Sequence, residues 1–239
     1  MKFDINQLAC RKSSFVFLGG AGSGKSECSV NFALHLAKTV DRPVHFFDLD
    51  MTKPLFRSRD LAERLEAAGI AFHCQQQFMD APTQVGGVQR LLRDESVYTV
   101  LDVGGDDIGA RAIGGYASFL NREDTAIYYV LNVYRPWTSD IEKVDETLGK
   151  ILGVSHIRLD RIRFISNPNL GPDTTADEFL EGCRLTKERL APYCRPAMTC
   201  VREDLLQKVA EITDEPLFPL HINFSEPWLG LEPIMKEGA

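Results

Sequence analysis

Eight consecutive residues, Gly19-Gly20-Ala21-Gly22-Ser23-Gly24-Lys25-Ser26, fit the pattern G-x-x-x-x-G-K-[ST] without a gap. Glycines let a backbone bend tightly and bring its N–H groups close to an anion. A helix opening near Lys25 would aim its positive end at the same point. An ammonium at Lys25 suits the β- and γ-phosphates of a nucleoside triphosphate, and a hydroxyl at Ser26 suits Mg²⁺. All eight residues are therefore candidate nucleotide-binding residues. The plainer alternative is a glycine-rich strand-to-helix turn that holds no ligand.

Two acidic positions complete a candidate phosphate and metal site. The apolar run Val97–Leu101 ends in Asp102, which suits Mg²⁺ binding directly or through water. Asp102-Val103-Gly104-Gly105 also fits D-x-x-G, in which Gly105 can present its N–H to a γ-phosphate and report its loss. A second apolar run, Val44–Phe47, ends in Asp48-Leu49-Asp50. Carboxylates there can orient an attacking water or a metal-bound water. Downstream, Arg57 and Arg59 are candidates to contact phosphate or a partner protomer, or simply a solvated helix start. Asp106, Asp107 and Arg111 make the segment after Gly105 polar.

These positions need strands that end together. Ser14–Leu18, Val44–Phe47, Val97–Leu101, Ala126–Leu131 and Ile162–Ile165 are short runs of strand type, nearly continuous in apolar residues. That pattern suits central parallel strands covered on both faces. Helical patterns lie between or after them at Ser26–Val40, Arg59–Ala68, Gly87–Arg93, Ile141–Leu152, Thr174–Leu190 and Glu203–Glu211. The alternation predicts an α/β fold, a doubly wound, mostly parallel sheet flanked by helices, with ligands at the carboxyl ends of the strands. One domain over residues 1–239 is expected, with 215–239 as an extended C-terminal wrap.

The chain has 239 residues, a formal net charge of -7 and 26% charged residues. The acidic balance argues against a large surface for nucleic acid or anionic membrane. No apolar run of membrane-spanning length occurs. The six cysteines form no C-x-x-C, which suits free thiols in a reducing cytoplasm. Cys194 and Cys200 are a loose pair whose metal-binding alternative is the weaker one.

The Gly19–Ser26 loop, Asp48–Asp50 and the Asp102–Gly105 turn, in this order, resemble the SIMIBI class of P-loop NTPases. More narrowly, residues 14–200 are similar to MinD/ParA/CobQ-type nucleotide-binding proteins. The resemblance implies a P-loop NTPase fold. It also implies roles for Asp50 first and Asp48 second in organising the nucleophilic water and the magnesium shell. Deviant-Walker members carry a signature lysine five residues before the invariant one, and Gly20 stands there instead. Nucleotide-sandwich dimerisation is accordingly left open. No N-K-x-D for guanine occurs. Asn167, after the run Ile162–Ile165, matches an asparagine that contacts adenine in MinD-like proteins, and Asn132 is a secondary candidate. An Asn-Pro turn is the alternative for Asn167. Together these features point to a Mg-ATP-dependent slow ATPase acting as a switch on a protein client. The alternative on the same scaffold is an ATP-dependent small-molecule phosphotransferase or ligase.

Overall fold

Five stretches that read as strands in the sequence are strands, and each is extended or closely matched by the structure. The computed structural model describes residues 3–50, 55–74 and 87–223, with backbone only at 55–60. Strands β1 (Ser14–Leu18), β2 (Val44–Leu49), β4 (Tyr98–Val103), β5 (Thr125–Leu131) and β6 (Ile162–Ser166) are joined by β3 (Ala71–Cys74), β7 (Met198–Arg202) and β8 (Leu217–Leu220). Every residue of β1, β4 and β5 is buried, as expected of strands covered on two faces. All pairings among the described residues are parallel, in the order β3-β2-β4-β1-β5-β6-β7-β8. This is a doubly wound α/β sheet of P-loop NTPase type, with β1 central and its flanking strands reached by crossovers in opposite directions.

The described helices are α1 (Ile5–Ala9), α2 (Lys25–Ala37), α3 (Leu55–Ala67), α4 (Val88–Leu91), α5 (Asp107–Arg111), α6 (Ala117–Leu120), α7 (Ile141–Ser155), α8 (Ala176–Leu190) and α9 (Glu203–Val209). One face of the sheet packs against α2 through Phe15, Phe17, Phe32, Phe46, Val100 and Tyr128. The other face packs against α5, α6 and α7 through Val16, Leu18, Leu101, Ile113, Leu148 and Ile151. Alternate residues of each strand divide between the two layers, as the period of two requires. Helix ends carry their own signals. Asp140 caps α7 by accepting from Lys143 N, and Thr175 with Glu178 forms a capping box on α8.

The stretch 215–239 begins differently from a simple wrap. Leu217–Leu220 is the edge strand β8, paired to β7, and its apolar residues Leu217, Phe218 and Leu220 are buried. Pro216 and Pro219 make it read as loop, yet an edge strand tolerates a residue that donates no hydrogen bond. Phe224, Trp228 and Leu229, later in the same stretch, lie outside the described residues.

Candidate functional site

Because β1 is central, the loop that follows it sits where strand order reverses, flanked by the carboxyl ends of β4 and β5. The loop's glycines are there for space as well as for conformation. Gly24 has φ 85°, and a Cβ on it would run into the Asn167 amide. Gly19 has φ 149°, and its Cβ would stand 2.6 Å from Val130 O. The first turn of α2 then begins at Lys25, with Gly24 O accepting from Cys28 N.

Lys25 is buried, and its Nζ lies 3.3 Å from Asp50 Oδ2, with side-chain exposures of 8% and 6%. Asp48 and Asp102 are opposite one another in the β2–β4 register and are 5% and 0% exposed. Asp48 Oδ1 also accepts from Asp50 N at 3.1 Å, so the second carboxylate is held by the first. Gly105 abuts the loop: a Cβ there would lie 3.0 Å from Ala21 N and 3.1 Å from Lys25 Nζ. The structure thus brings Lys25, Asp50 and Gly105 together directly, and sets Asp48 and Asp102 side by side on the face that packs on α2. Ser26 is the second residue of α2. The donor set suits magnesium in the manner usual for nucleotide sites, where one or two carboxylates and a hydroxyl complete a shell of waters and phosphates. Cβ atoms at Gly19, Gly24 and Gly105 would collide with Val130 O, the Asn167 amide and Ala21 N, so the loop is packed too closely at these three positions for any other residue.

After Gly105 the chain turns into α5. Asp106 caps this helix by accepting from Gly109 N at 2.8 Å. Gly104 and Gly109 touch backbone to backbone, which only glycines permit. Arg111 is exposed at the end of α5. Arg57 and Arg59 lie within α3, but their side chains, like residues 51–54 before them, fall outside the described set.

Asn167 is 3% exposed. Its Nδ2 donates to Ser23 O at 2.7 Å, and its Oδ1 accepts from Asn169 Nδ2 at 2.5 Å. It therefore braces the glycine loop from β6. One N–H and one lone pair remain of its donor and acceptor capacity. Asn132 is likewise committed, donating to Asn169 O at 2.8 Å and accepting from Tyr134 N at 3.1 Å. Cys194 is half-buried, whereas Cys200 faces Cys28 across the core with 3.5 Å between sulfurs. That hydrogen bond and burial raise the Cys28 thiol well above its ordinary value. Among the described residues no group of three or more His, Cys, Asp or Glu side chains has the arrangement of a metal centre. Cys194 and Cys200 are thus free thiols, one half-buried and one buried, and Cys200 contacts Cys28.

Three features of this end of the sheet carry no sequence motif. The turn after β5 lays Arg135 and Trp137 on the loop: Arg135 Nε donates to Gly22 O at 2.9 Å, and a Cβ on Gly20 would be 3.0 Å from the Trp137 ring. Glu27 and Asn31 of α2 clasp the chain after β8. Asn31 exchanges hydrogen bonds with the backbone of His221 at 2.9 and 2.8 Å, and Glu27 accepts from Asn223 N at 2.7 Å. A cavity of about 260 Å³ opens between the ends of β7 and β8, lined by Pro172, Arg202, Glu203, Asp204, Leu220, His221 and Ile222.

No protein-family model and no curated protein sequence matches the chain. Among solved structures it is similar to a ParA family ATPase from Chlorobium tepidum TLS, at 16% identity and TM-score 0.49, covering 85% of this chain and 93% of that one. It is similar to a plasmid partition protein from Borrelia burgdorferi B31 bound to AMPPNP, at 14% identity and TM-score 0.47, covering 82% and 90%. A nucleotide-binding protein in complex with ADP from Archaeoglobus fulgidus matches at 15% identity and TM-score 0.46, covering 86% and 90%. These likenesses are weak, and the fold rests on the strand order and the loop themselves. Among the described residues no helix is long and apolar enough to cross a membrane.

Proposed function

We propose that the chain is a Mg-ATP-binding P-loop ATPase that acts as a nucleotide-dependent switch on a protein client. One observation carries the reading. Gly105 lies against both Ala21 N and Lys25 Nζ, so the D-x-x-G turn and the phosphate loop share one narrow space. A γ-phosphate entering there meets the Lys25 ammonium, the Gly105 N–H and the loop amides at once. Its arrival must reposition the turn that launches α5, and its loss releases that turn.

Within this reading, Lys25 exchanges Asp50 for phosphate oxygens. Asp50, freed of its partner, takes and orients the attacking water, with Asp48 steadying its backbone. Ser26 and Asp102 would hold Mg²⁺, which supplies charge neutralisation on the phosphates when bound. The base is taken as adenine, on the absence of N-K-x-D and on an Asn167 amide with one donor and one acceptor site to spare. A protein client is proposed because Asp106, Asp107, Ile108 and Arg111 are exposed at the turn and helix that nucleotide would reposition.

Thermal melts with Mg-ATP and hydrogen exchange over residues 104–111 test this. A ligand at 100 times its dissociation constant adds about 2.7 kcal/mol. We expect that gain with Mg-ATP, its loss in Lys25→Ala, and slower exchange over 104–111 with a non-hydrolysable triphosphate than with ADP. Equal exchange in the two states would sink the switch. A hydrolysis rate that rises sharply with one metabolite, with a phosphorylated product, would establish a phosphotransferase instead.

A further inference from the structure

We infer that Arg135 is a second phosphate-binding cation of the site, supplied in cis, and that it reads the terminal phosphate. The inference rests on the nucleotide reading above and adds a residue that no motif marks. Arg135 Nε is fixed on Gly22 O at 2.9 Å, and its Cδ and Nε lie 3.8 and 3.5 Å from where a Gly22 Cβ would stand. The guanidinium is therefore laid along the phosphate loop. Its Nη1 and Nη2 have no hydrogen-bond partner among the described residues, and a guanidinium presents those donors in a fixed fork suited to phosphate.

The turn that carries it is built to hold still. Arg135 N donates to Asn132 O at 3.1 Å. Thr138, 4% exposed, shares its one hydroxyl hydrogen between Asn132 O at 2.6 Å and Arg135 O at 2.8 Å. Arg189 of α8 donates to Val133 O at 3.1 Å and to Thr138 O at 2.5 Å. Trp137 lies over Gly20 and reaches Gly22, closing the outer side of the loop. A side chain held this way is preorganised rather than recruited.

Lys25 is held opposite Asp50 in the free site, and Mg²⁺, when bound, would offset part of the phosphate charge. A guanidinium fixed on the loop adds to that positive charge, and its attraction grows with the charge of the ligand, so it contributes most to a triphosphate.

Equilibrium titrations with fluorescent ADP and a fluorescent non-hydrolysable ATP analogue, each with Mg²⁺, test the inference. Losing a charge-assisted hydrogen bond corresponds to about tenfold in affinity or more. For Arg135→Ala we expect that loss for the triphosphate and less than about a twofold change for ADP. Arg135→Lys, which keeps the charge, recovers part of the triphosphate affinity, and Arg135→Gln, which can still donate to Gly22 O, does not. A residue that only braces the loop gives the opposite result: both nucleotides weaken alike, and Gln rescues better than Lys. That result overturns the assignment while leaving the nucleotide reading intact. Wild-type protein that binds neither nucleotide, or a Lys25→Ala variant that binds both, overturns the two together.

Discussion

At the scale of single residues, the Lys25–Asp50 pair makes the unliganded site self-neutralising. Each group is nearly removed from water and each compensates the other. Removing one leaves the other buried and unbalanced, at about 3–5 kcal/mol. We therefore expect Asp50→Ala to lower the melting temperature of the free protein. Mg-ATP should close most of that gap, since phosphate then replaces the carboxylate at Lys25. The same variant should bind nucleotide yet fail to hydrolyse it. Turnover at the wild-type rate would remove Asp50 from the water-orienting role. Asn167 poses a different question, because its amide visibly serves the loop. If it is a brace alone, Asn167→Ala weakens ATP, GTP and inorganic triphosphate to the same degree in competition titrations. If it also touches adenine, ATP suffers most and triphosphate least.

Individual elements differ in how much of themselves the sequence disclosed. The glycine loop and the three aspartates were legible because their chemistry is local: a strand, a turn and a carboxylate need no distant partner to be recognised. β3 was not, since Ala71-Phe72-His73-Cys74 is four residues at the sheet edge, partly exposed, with no alternation to distinguish it. β8 hid behind two prolines. The Arg135–Trp137 turn was invisible for another reason. Nothing in its residues points to the phosphate loop, and only the placement of β5 beside β1 brings the two together. At the β2–β3 edge, His45 Nδ1 and His73 Nε2 are 3.0 Å apart, and His73 stacks on Phe47 at 4.5 Å between ring centres. Burial lowers both imidazoles, with Arg90 lowering each further and Asp94 raising His45. The unfolded chain then takes up protons at higher pH than the folded one, so stability is full above about 6.5 and falls as pH drops below it. Urea midpoints measured from pH 7.5 to 5.5 should show that decline, and His73→Phe, which keeps the stack, should flatten it. Parallel curves for the two proteins would place the pH dependence elsewhere.

Across the whole molecule, one sheet ties everything to α2. That helix carries the phosphate loop at its start, packs under β1, β4 and β5, and holds the chain after β8 through Glu27 and Asn31. A single sheet with core on both faces should open as one cooperative unit. The cysteines offer a direct measure, because they sit in different layers. Cys28 on α2 and Cys200 on β7 touch beneath one face, Cys183 lies under α8 on the other, and Cys10 and Cys74 are exposed. Burial pushes the Cys183 thiol up to about 12, so it is inert until it is uncovered. In a thiol-labelling time course followed by peptide mass spectrometry, Cys10 and Cys74 should react at once. Cys28, Cys183 and Cys200 should follow with one shared rate that responds identically to urea. Mg-ATP at 100 times its dissociation constant should slow all three by about 100-fold, since ligand bound only to the closed form depresses the open population by that factor. If Cys183 reacted earlier than Cys28, α8 and its strands would be opening apart from the rest. If nucleotide protected Cys28 alone, α2 would be responding locally, without the clasp at His221 carrying the effect to the far edge.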